Sequence, residues 1–504
     1  MIKRMVCIVA GLMGMIAWSA EEPKRPNVIV IMVDDMGYSD IGCYGGEVKT
    51  PNLDSLAAGG LRFTQFYNCA KCASTRAALL TGNYEHAVDT STMRYGATFG
   101  EVLRTAHYRT LLSGKWHQKP LPTSRGFDRY YGLADGCSNF FNPGIEARDG
   151  EGKPGRKITR PRRWAIEDKV IMGYTNPDPN FYTTDAFTDY AIDCLEAYKK
   201  EDKPYVLYLA YTAPHYPLHA WPRDIAKYRG KYKVGWDKIR EQRFARMKEM
   251  GIIDDRHVLS KRESKAWDSL SEKQRDAEDL KMAVYAAMID SVDQNLGRLF
   301  AKVKELGEWN NTMIMFFTDN GAASEQPNTT PNVTPGPVES YRTVSVGWAN
   351  ASNTPYRKFK STNYEGGART PFIISWPSVI KPGMTDQVGH VMDITPTLMD
   401  VSGASYPSAI NGNKMKPIVG KSLLPILKGK QRETHKTLCW QFGSGKAIRQ
   451  GDMKLVRLGK KPWELYDLSK DPSEMNNLAL KMPEKAAVMA KDWEQWLADC
   501  KKMP

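Results

Sequence analysis

Four runs of residues constrain this chain more than anything else in it. Residues 27–33 read Asn-Val-Ile-Val-Ile-Met-Val, and the same grammar recurs at 108–112, 205–211 and 312–317. A β-branched apolar run without alternation reads as a strand buried on both faces, as in a parallel sheet. Each run stops at polar groups: Asp34-Asp35, Gly114-Lys115-Trp116-His117, Ala213-Pro214-His215 and Thr318-Asp319-Asn320-Gly321. Helical patterns, notably 184–200 and 276–306, lie between the runs. The fold class is therefore α/β. Ligands of open α/β sheets sit in the crevice at the carboxyl ends of the strands. Four strand ends of this kind describe one site assembled from distant segments.

Residue type suggests what that site holds. Asp34, Asp35, Asp319 and Asn320 are hard oxygen donors, which favours calcium or magnesium over zinc. Adjacent buried carboxylates repel and need a cation or a shared proton. A single Asp-Asp is as readily a capped turn, but two such pairs after buried strands make the metal the better reading. Lys115, His117 and His215 follow other strands, and Arg357, Lys358 and Lys360 precede the turn Tyr364-Glu365-Gly366-Gly367. Taken singly these are solvated loop residues. Gathered round a cation, they suit a tetrahedral oxyanion.

A nucleophile candidate lies in Cys72-Ala73-Ser74-Thr75-Arg76-Ala77-Ala78-Leu79-Leu80-Thr81-Gly82. Its second half is a helix pattern closed by a capping glycine. Ser74 and Thr75 are residue types that cap a helix N-terminus. Cys72 then sits at the helix mouth, where free N–H groups and the dipole attract an anion. Arg76 lies one turn along on the same face. The plainer alternative is a capped helix with a buried cysteine.

Residues 1–20 carry Lys3 and Arg4, an apolar run through Trp18, and small residues at Ala17, Ser19 and Ala20. That is a secretory signal pattern, too short for a spanning helix, so a periplasmic or extracellular location is expected. No other stretch is apolar for long enough to cross a bilayer. The 504 residues allow one large domain and a smaller one. In an exported protein, the net charge of +14 points to polyanionic polysaccharides or acidic surfaces rather than nucleic acid, or simply to a basic surface. Of eight cysteines, Cys7 falls in the leader, which leaves an odd number. At least one thiol is then unpaired, and Cys72 has a reason to be that one.

These motifs together resemble a type I sulfatase of the alkaline-phosphatase superfamily, the formylglycine-dependent arylsulfatase-like family. The matching stretches run from Pro26 to about Gly403, with a typical C-terminal subdomain beyond. The resemblance implies a large mixed, mostly parallel sheet sandwiched by helices, plus a small antiparallel sheet with a helix. Boundaries at 23–430 and 431–504 follow from it. It also implies that Cys72 is oxidised to formylglycine by a maturation enzyme and hydrated to a gem-diol. One hydroxyl would attack sulfur, with one calcium ion held by Asp34, Asp35, Asp319, Asn320 and modified Cys72. Lys115 and Lys360 would neutralise the sulfate, His215 would protonate the departing alcohol, His117 would act as base in expelling sulfate, and Arg76 would orient the diol. The family signature usually has proline two residues after the cysteine. Here that residue is Ser74, and conversion is still expected.

Substrates implied are sulfated carbohydrates or aryl sulfates. Two alternatives stay open: a phosphate or phosphonate ester hydrolase of the same superfamily, and a silent sulfoglycan-binding protein should Cys72 stay unconverted. Gly150 to Arg163 is a Lys/Arg-rich loop that either holds a glycan or is a solvated surface. Residues 322–355 read as a wall or lid in which Tyr341 and Trp348 either face a sugar or pack the loop down. The charged stretch 224–280 reads as an outer helix. Short runs at 437–440, 446–449 and 454–457, with 464–468, read as an antiparallel meander before an amphipathic helix at 483–501.

Overall fold

The computed structural model describes residues 25–201 and 203–504, so the expected leader and Cys7 lie outside the described residues. Eleven strands form the main sheet: β1 Asn27–Val33, β2 Leu61–Tyr67, β3 Arg109–Gly114, β4 Arg129–Leu133, β5 Arg163–Ile166, β6 Lys169–Met172, β7 Tyr205–Ala210, β8 Thr312–Thr318, β9 Arg369–Ser375, β10 Gly383–Thr385 and β11 Gly389–His390. Their order is β10-β2-β9-β8-β1-β7-β3-β4-β5-β6, with β11 beside β2. The middle, β8-β1-β7-β3-β4, is parallel, and the four apolar runs are four of its five strands. Antiparallel pairs flank it, β9 against β8 and β2, β5 against β4 and β6. The sheet is thus large, mixed and mostly parallel at its centre.

Both faces of the middle strands are covered, which is why their residues do not alternate in polarity. Ile29, Ile31 and Val33 join one core with the helices Thr183–Tyr198 and Glu272–Glu305. Val28, Val30 and Met32 join the other, with the helix Cys72–Thr81 and the C-terminal sheet. The 34-residue helix Glu272–Glu305 starts at a capping box formed by Ser271 and Gln274. Among the described residues, no helix is long and apolar enough to cross a membrane.

One expectation changes, and the two aromatics of 322–355 pack the loop down. The stretch 224–280 is several pieces, including the helix Trp236–Glu249, and it is not wholly exterior. Arg243 is fully buried, 2.6 Å from Asp40 and 2.7 Å from Glu47. Trp348 offers no face to a sugar. It is buried in the short helix Val346–Ser352, edge-on to Trp236 and Trp267, and its indole N–H donates to the Glu278 carbonyl at 2.9 Å. Tyr341 is likewise buried, beside Tyr216.

The C-terminal meander has four antiparallel strands in sequential order, Thr437–Phe442, Gly445–Gln450, Met453–Leu458 and Glu464–Asp467. The amphipathic helix Pro483–Cys500 closes it. A buried charge cluster joins this sheet to the main one. Lys454 Nζ lies 2.6 Å from Glu365 Oε1 and 2.9 Å from Glu474 Oε1, while Arg369 and the Tyr67 hydroxyl hold the second Glu365 oxygen. All seven cysteines among the described residues are free thiols.

Candidate active site

The parallel register sets the site. β1 and β8 pair from Asn27↔Thr312 to Val33↔Thr318, and the Asp319 N–H extends the ladder by donating to the Val33 carbonyl at 3.1 Å. Asp34 and Asp319 therefore leave neighbouring strands side by side. The Asp35 backbone then turns through a left-handed conformation, φ 66°, uncommon outside glycine but tolerated best by Asn and Asp. Its N–H donates to Asp319 Oδ1 at 3.3 Å, and Asn320 Nδ2 donates to Asp35 Oδ1 at 2.7 Å. Gly321 permits the turn that follows, because a Cβ there would meet the Gly366 carbonyl oxygen at 1.9 Å. The two glycine-containing motifs are thus packed backbone to backbone.

The helix Cys72–Thr81 brings its own end to the same point. Its first residue is Cys72, with extended Lys71 in the cap position, so Ser74 and Thr75 lie inside the first turn rather than capping it. Thr75 has another job. Its hydroxyl accepts from the Cys69 N–H at 2.9 Å and donates to the Asp319 carbonyl at 2.6 Å, fastening the helix to the end of β8. A residue at position 74 needs no intrahelical N–H bond, so serine fits this turn as proline would. Gly82 ends the helix in the left-handed conformation, its N–H on the Ala78 carbonyl at 2.9 Å, as expected.

Ligand-type atoms of Asp34, Cys72 and Asp319 lie within 4.8 Å of one another, and so do those of Asp34, Asp35 and His215. Three cations ring them. Arg76, fully buried, is 3.4 Å from Asp319 Oδ2 and 3.8 Å from Asp34 Oδ2, and donates to the Lys115 carbonyl at 2.7 Å. Lys115 Nζ donates to Asp34 Oδ2. Lys360 Nζ lies 2.7 Å from Asp35 Oδ1. His215 Nε2 is 3.5 Å from Asp35 Oδ2, while its Nδ1–H donates to the Tyr216 carbonyl. His117, also in a left-handed conformation at φ 61°, sits against Gly136, where a Cβ would meet its Nε2 at 2.5 Å. Of the expected site residues, all ten come together here. Arg357 and Lys358 do not: they turn to Glu464 and Glu263.

Electrostatics separates the two strand-end carboxylates. Burial works against the Asp34 carboxylate, but Lys115, His215, Arg76 and Lys360 outweigh it and hold its pKa well below the usual range. Burial and then the Asp34 charge push the Asp319 carboxyl well above it. Two such neighbours cannot both ionise cheaply without another positive charge. Burial also lowers His215 to about 4, against the pull of Asp35. Burial, then Lys115, drives His117 well below the ordinary histidine value.

Asp34 Oδ1 and Asn320 Oδ1 are buried with no hydrogen-bond partner. Buried acceptors are rarely left so. With the remaining oxygens of Asp34, Asp35 and Asp319 they make an oxygen-rich set suited to a hard divalent cation. Sequence reading missed Gln118, whose Nε2 donates to the Ala73 carbonyl at 2.9 Å beside Cys72, and Tyr208, whose hydroxyl accepts from Arg76 at 3.3 Å. Gln118 follows His117 directly, a signal that was there to use. Tyr208 looks like any core aromatic of β7.

Comparison with known proteins agrees with this geometry. The family model described as "Sulfatase" matches residues 26–404, and that described as "N-sulphoglucosamine sulphohydrolase, C-terminal" matches 358–502. The chain belongs to the sulfatase family. An arylsulfatase of Klebsiella aerogenes is 33% identical, over 85% of this sulfatase and 98% of that protein. An uncharacterized sulfatase of Schizosaccharomyces pombe is 31% identical, over 94% and 93% of the two chains. Among solved structures, one described as Ps i-CgsB aligns with TM-score 0.68 and 24% identity over 95% of this chain and 94% of that one. Another, in complex with D-glucosamine-2-N,6-O-disulfate as its substrate, aligns with TM-score 0.65 and 22% identity over 95% and 98%. These two share its fold. The protein is a sulfuric ester hydrolase of the alkaline-phosphatase-like fold.

Proposed function

We propose that this sulfatase is an exported enzyme that hydrolyses sulfated carbohydrates or aryl sulfates, using a formylglycine made from Cys72 by a maturation enzyme and one calcium ion. We also assign residues 23–430 to the catalytic domain and 431–504 to the C-terminal subdomain. The observation that carries the reading is the convergence of Asp34, Cys72 and Asp319 within 4.8 Å, beside two partnerless buried oxygens. Asp34, Asp35, Asp319 and Asn320 would hold the calcium, with the side chain at position 72 next to it.

The overall reaction is R–O–SO₃⁻ plus water giving R–OH and hydrogen sulfate. When bound, the calcium supplies Lewis-acid stabilisation of negative charge on oxygen, and formylglycine, as its hydrate, supplies the nucleophilic hydroxyl. The chain's own groups do the rest. Lys115 and Lys360, pre-positioned by Asp34 and Asp35, neutralise charge on the sulfate oxygens. Arg76, locked by the Lys115 carbonyl and Tyr208, orients the side chain at position 72. His215 Nε2, pointed by the Nδ1–H bond to Tyr216, gives its proton to the departing alcohol oxygen. His117, kept neutral by burial, is free to accept a proton.

Mass spectrometry of the Cys72 peptide and paired rates on the sulfate and phosphate esters of one phenol test the proposal. Expected are a converted residue 72, faster cleavage of the sulfate, loss of activity with a chelator and its return with calcium. Cys72→Ala should reduce turnover roughly ten-thousand-fold or more, the scale seen when a nucleophile is removed. A quantitative free thiol in fully active enzyme, or a faster phosphate reaction, would overturn it.

A further inference from the structure

We infer that the basic loop 150–163 forms a second anion subsite at the mouth of the active site. The favoured substrate is then a saccharide with at least two anionic groups, the sulfate that is cleaved and a second sulfate or carboxylate held by Lys157, Arg156 and Arg162. The inference rests on the sulfate-ester reading above and adds the class of substrate.

The loop is fixed in place rather than free in solvent. The Gly155 N–H donates to the Val338 carbonyl at 2.9 Å, and Asn139 Nδ2 donates to the carbonyls of Val338 and Gly155 at 2.7 and 3.2 Å. The Thr329 hydroxyl donates to the Arg156 carbonyl at 2.8 Å. Gly155 is required there, since a Cβ would meet the Ser340 carbonyl oxygen at 2.4 Å. A fixed loop gives its cations fixed positions, so less ordering cost falls on binding.

It meets the site at both histidines. The Tyr216 ring lies beside the His215 ring, with centroids 4.1 Å apart. Lys360 Nζ and Lys157 Nζ each lie 5.7 Å from the Tyr216 ring centroid. The two ammonium groups are therefore at most twice that distance apart, within one substrate's span. On the other side, Gly136 touches His117, and the next residue, Cys137, accepts from Arg162 at 3.4 Å and contacts the Tyr341 hydroxyl at 3.8 Å.

Charge pairing selects the residues. Asp135 takes Arg163 at 3.0 Å and Arg160 at 3.8 Å. Among the described residues, Lys157, Arg156 and Arg162 have no carboxylate within ion-pair distance, whereas Lys360 and Lys71 nearby have Asp35 and Glu325. The recess under the loop, about 20 Å³, has room for about one water, so an anion would lie across its rim. Lys157 is exposed at that rim and Arg156 and Arg162 are half-buried.

The test compares kcat/KM on an aryl monosulfate and on a disulfated hexosamine for the wild type, Lys157→Ala and Lys157→Arg. Lys157 is exposed, so Lys157→Ala should lower the disulfated value about fivefold relative to the aryl value. Lys157→Arg should retain most of it, and added salt should depress the disulfated rate more steeply. Equal effects on the two substrates would overturn the subsite while leaving the sulfatase reading standing. If neither ester is cleaved, binding of the disulfated hexosamine to Cys72→Ala decides. Weaker binding after a further Lys157→Ala supports the subsite, and unchanged binding rejects it.

Discussion

The active site and the joint between the two sheets both bury several charges, and they arrange them for different ends. At the joint the charges pair across the two sheets, although Glu474 Oε1 and Arg369 Nε lack a hydrogen bond and Glu474 is pushed toward its neutral form by burial and the Glu365 charge. Lys454 lies between Glu365 and Glu474, and both Glu365 oxygens have partners. The Arg449 guanidinium from the C-terminal sheet donates to the Tyr67 hydroxyl at 2.7 Å. At the active site the same density of charge is left open. Asp34 Oδ1 and Asn320 Oδ1 have no hydrogen-bond partner, and Asp319 is pushed toward its neutral form beside an ionised Asp34. The joint ties two sheets together, whereas the strand-end cluster gathers carboxylate and thiol atoms within 4.8 Å of one another.

Removing one charge from each region should therefore have opposite signs. Asp319→Asn relieves the repulsion with Asp34. It should raise the melting temperature of chelator-treated enzyme, abolish the further rise on adding calcium, and cut turnover roughly a thousandfold or more. Differential scanning calorimetry with and without calcium, beside a desulfation assay, checks all three. A variant that melts lower in chelator would break the comparison, because the Asp319 charge would then hold its site together as Lys454 holds the joint.

The two regions also differ in how legible they are from sequence. Asp34, Asp35, Asp319 and Asn320 stand at the ends of buried strands, so the parallel register alone brings them together. Lys115 and His215 follow the same rule. The joint carries no such mark, since Glu365 and Lys454 are 89 residues apart and each looks like an ordinary surface charge until the C-terminal sheet docks. β2 and β9 were not read as strands for a local reason. β2 mixes Arg62, Thr64 and Gln65 into its apolar residues, and Pro371 interrupts β9. Trp348 was ambiguous because a loop rich in Pro, Asn and Thr hides a seven-residue helix. Thr75 was given a capping role because hydroxyl residues favour that position. Its true partners, the backbone of Cys69 and Asp319, are fixed by tertiary contact.

At the joint, Lys454→Met leaves Glu474 buried without its cation, while Glu365 keeps Arg369. Breaking a buried pair by removing one partner costs about 3–5 kcal/mol, and the loss should show in denaturant unfolding. Activity per folded molecule should hold, since none of these groups touches the strand-end cluster. The double variant Glu474→Gln, Lys454→Met should recover part of the stability, because the orphaned charge is gone. Loss of kcat in correctly folded Lys454→Met would mean that the joint steers the active site.

Between these extremes lies a buried group that is held neutral, and it gives the smallest effect. His219 is fully buried; its Nδ1 accepts from the Phe140 N–H at 3.3 Å and its Nε2–H donates to the Ser340 carbonyl at 2.7 Å. Both nitrogens are used by one neutral tautomer, so a second ring proton would face a backbone N–H. Burial lowers its pKa to about 4, against about 6.5 for an unfolded chain. Between those values the unfolded state binds more protons. Stability from this group is therefore whole above pH 6.5 and falls as the pH drops toward 4, by on the order of 2–3 kcal/mol. Unfolding free energies of wild type and His219→Gln at pH 7 and pH 5 measure it, and the variant should show the shallower decline. Equal declines would mean that His219 is not held neutral. The same bonds join the Phe140 segment to Ser340, next to the Asn139 and Val338 contacts that fix the basic loop, so acid should loosen that loop before it disturbs the strand-end carboxylates.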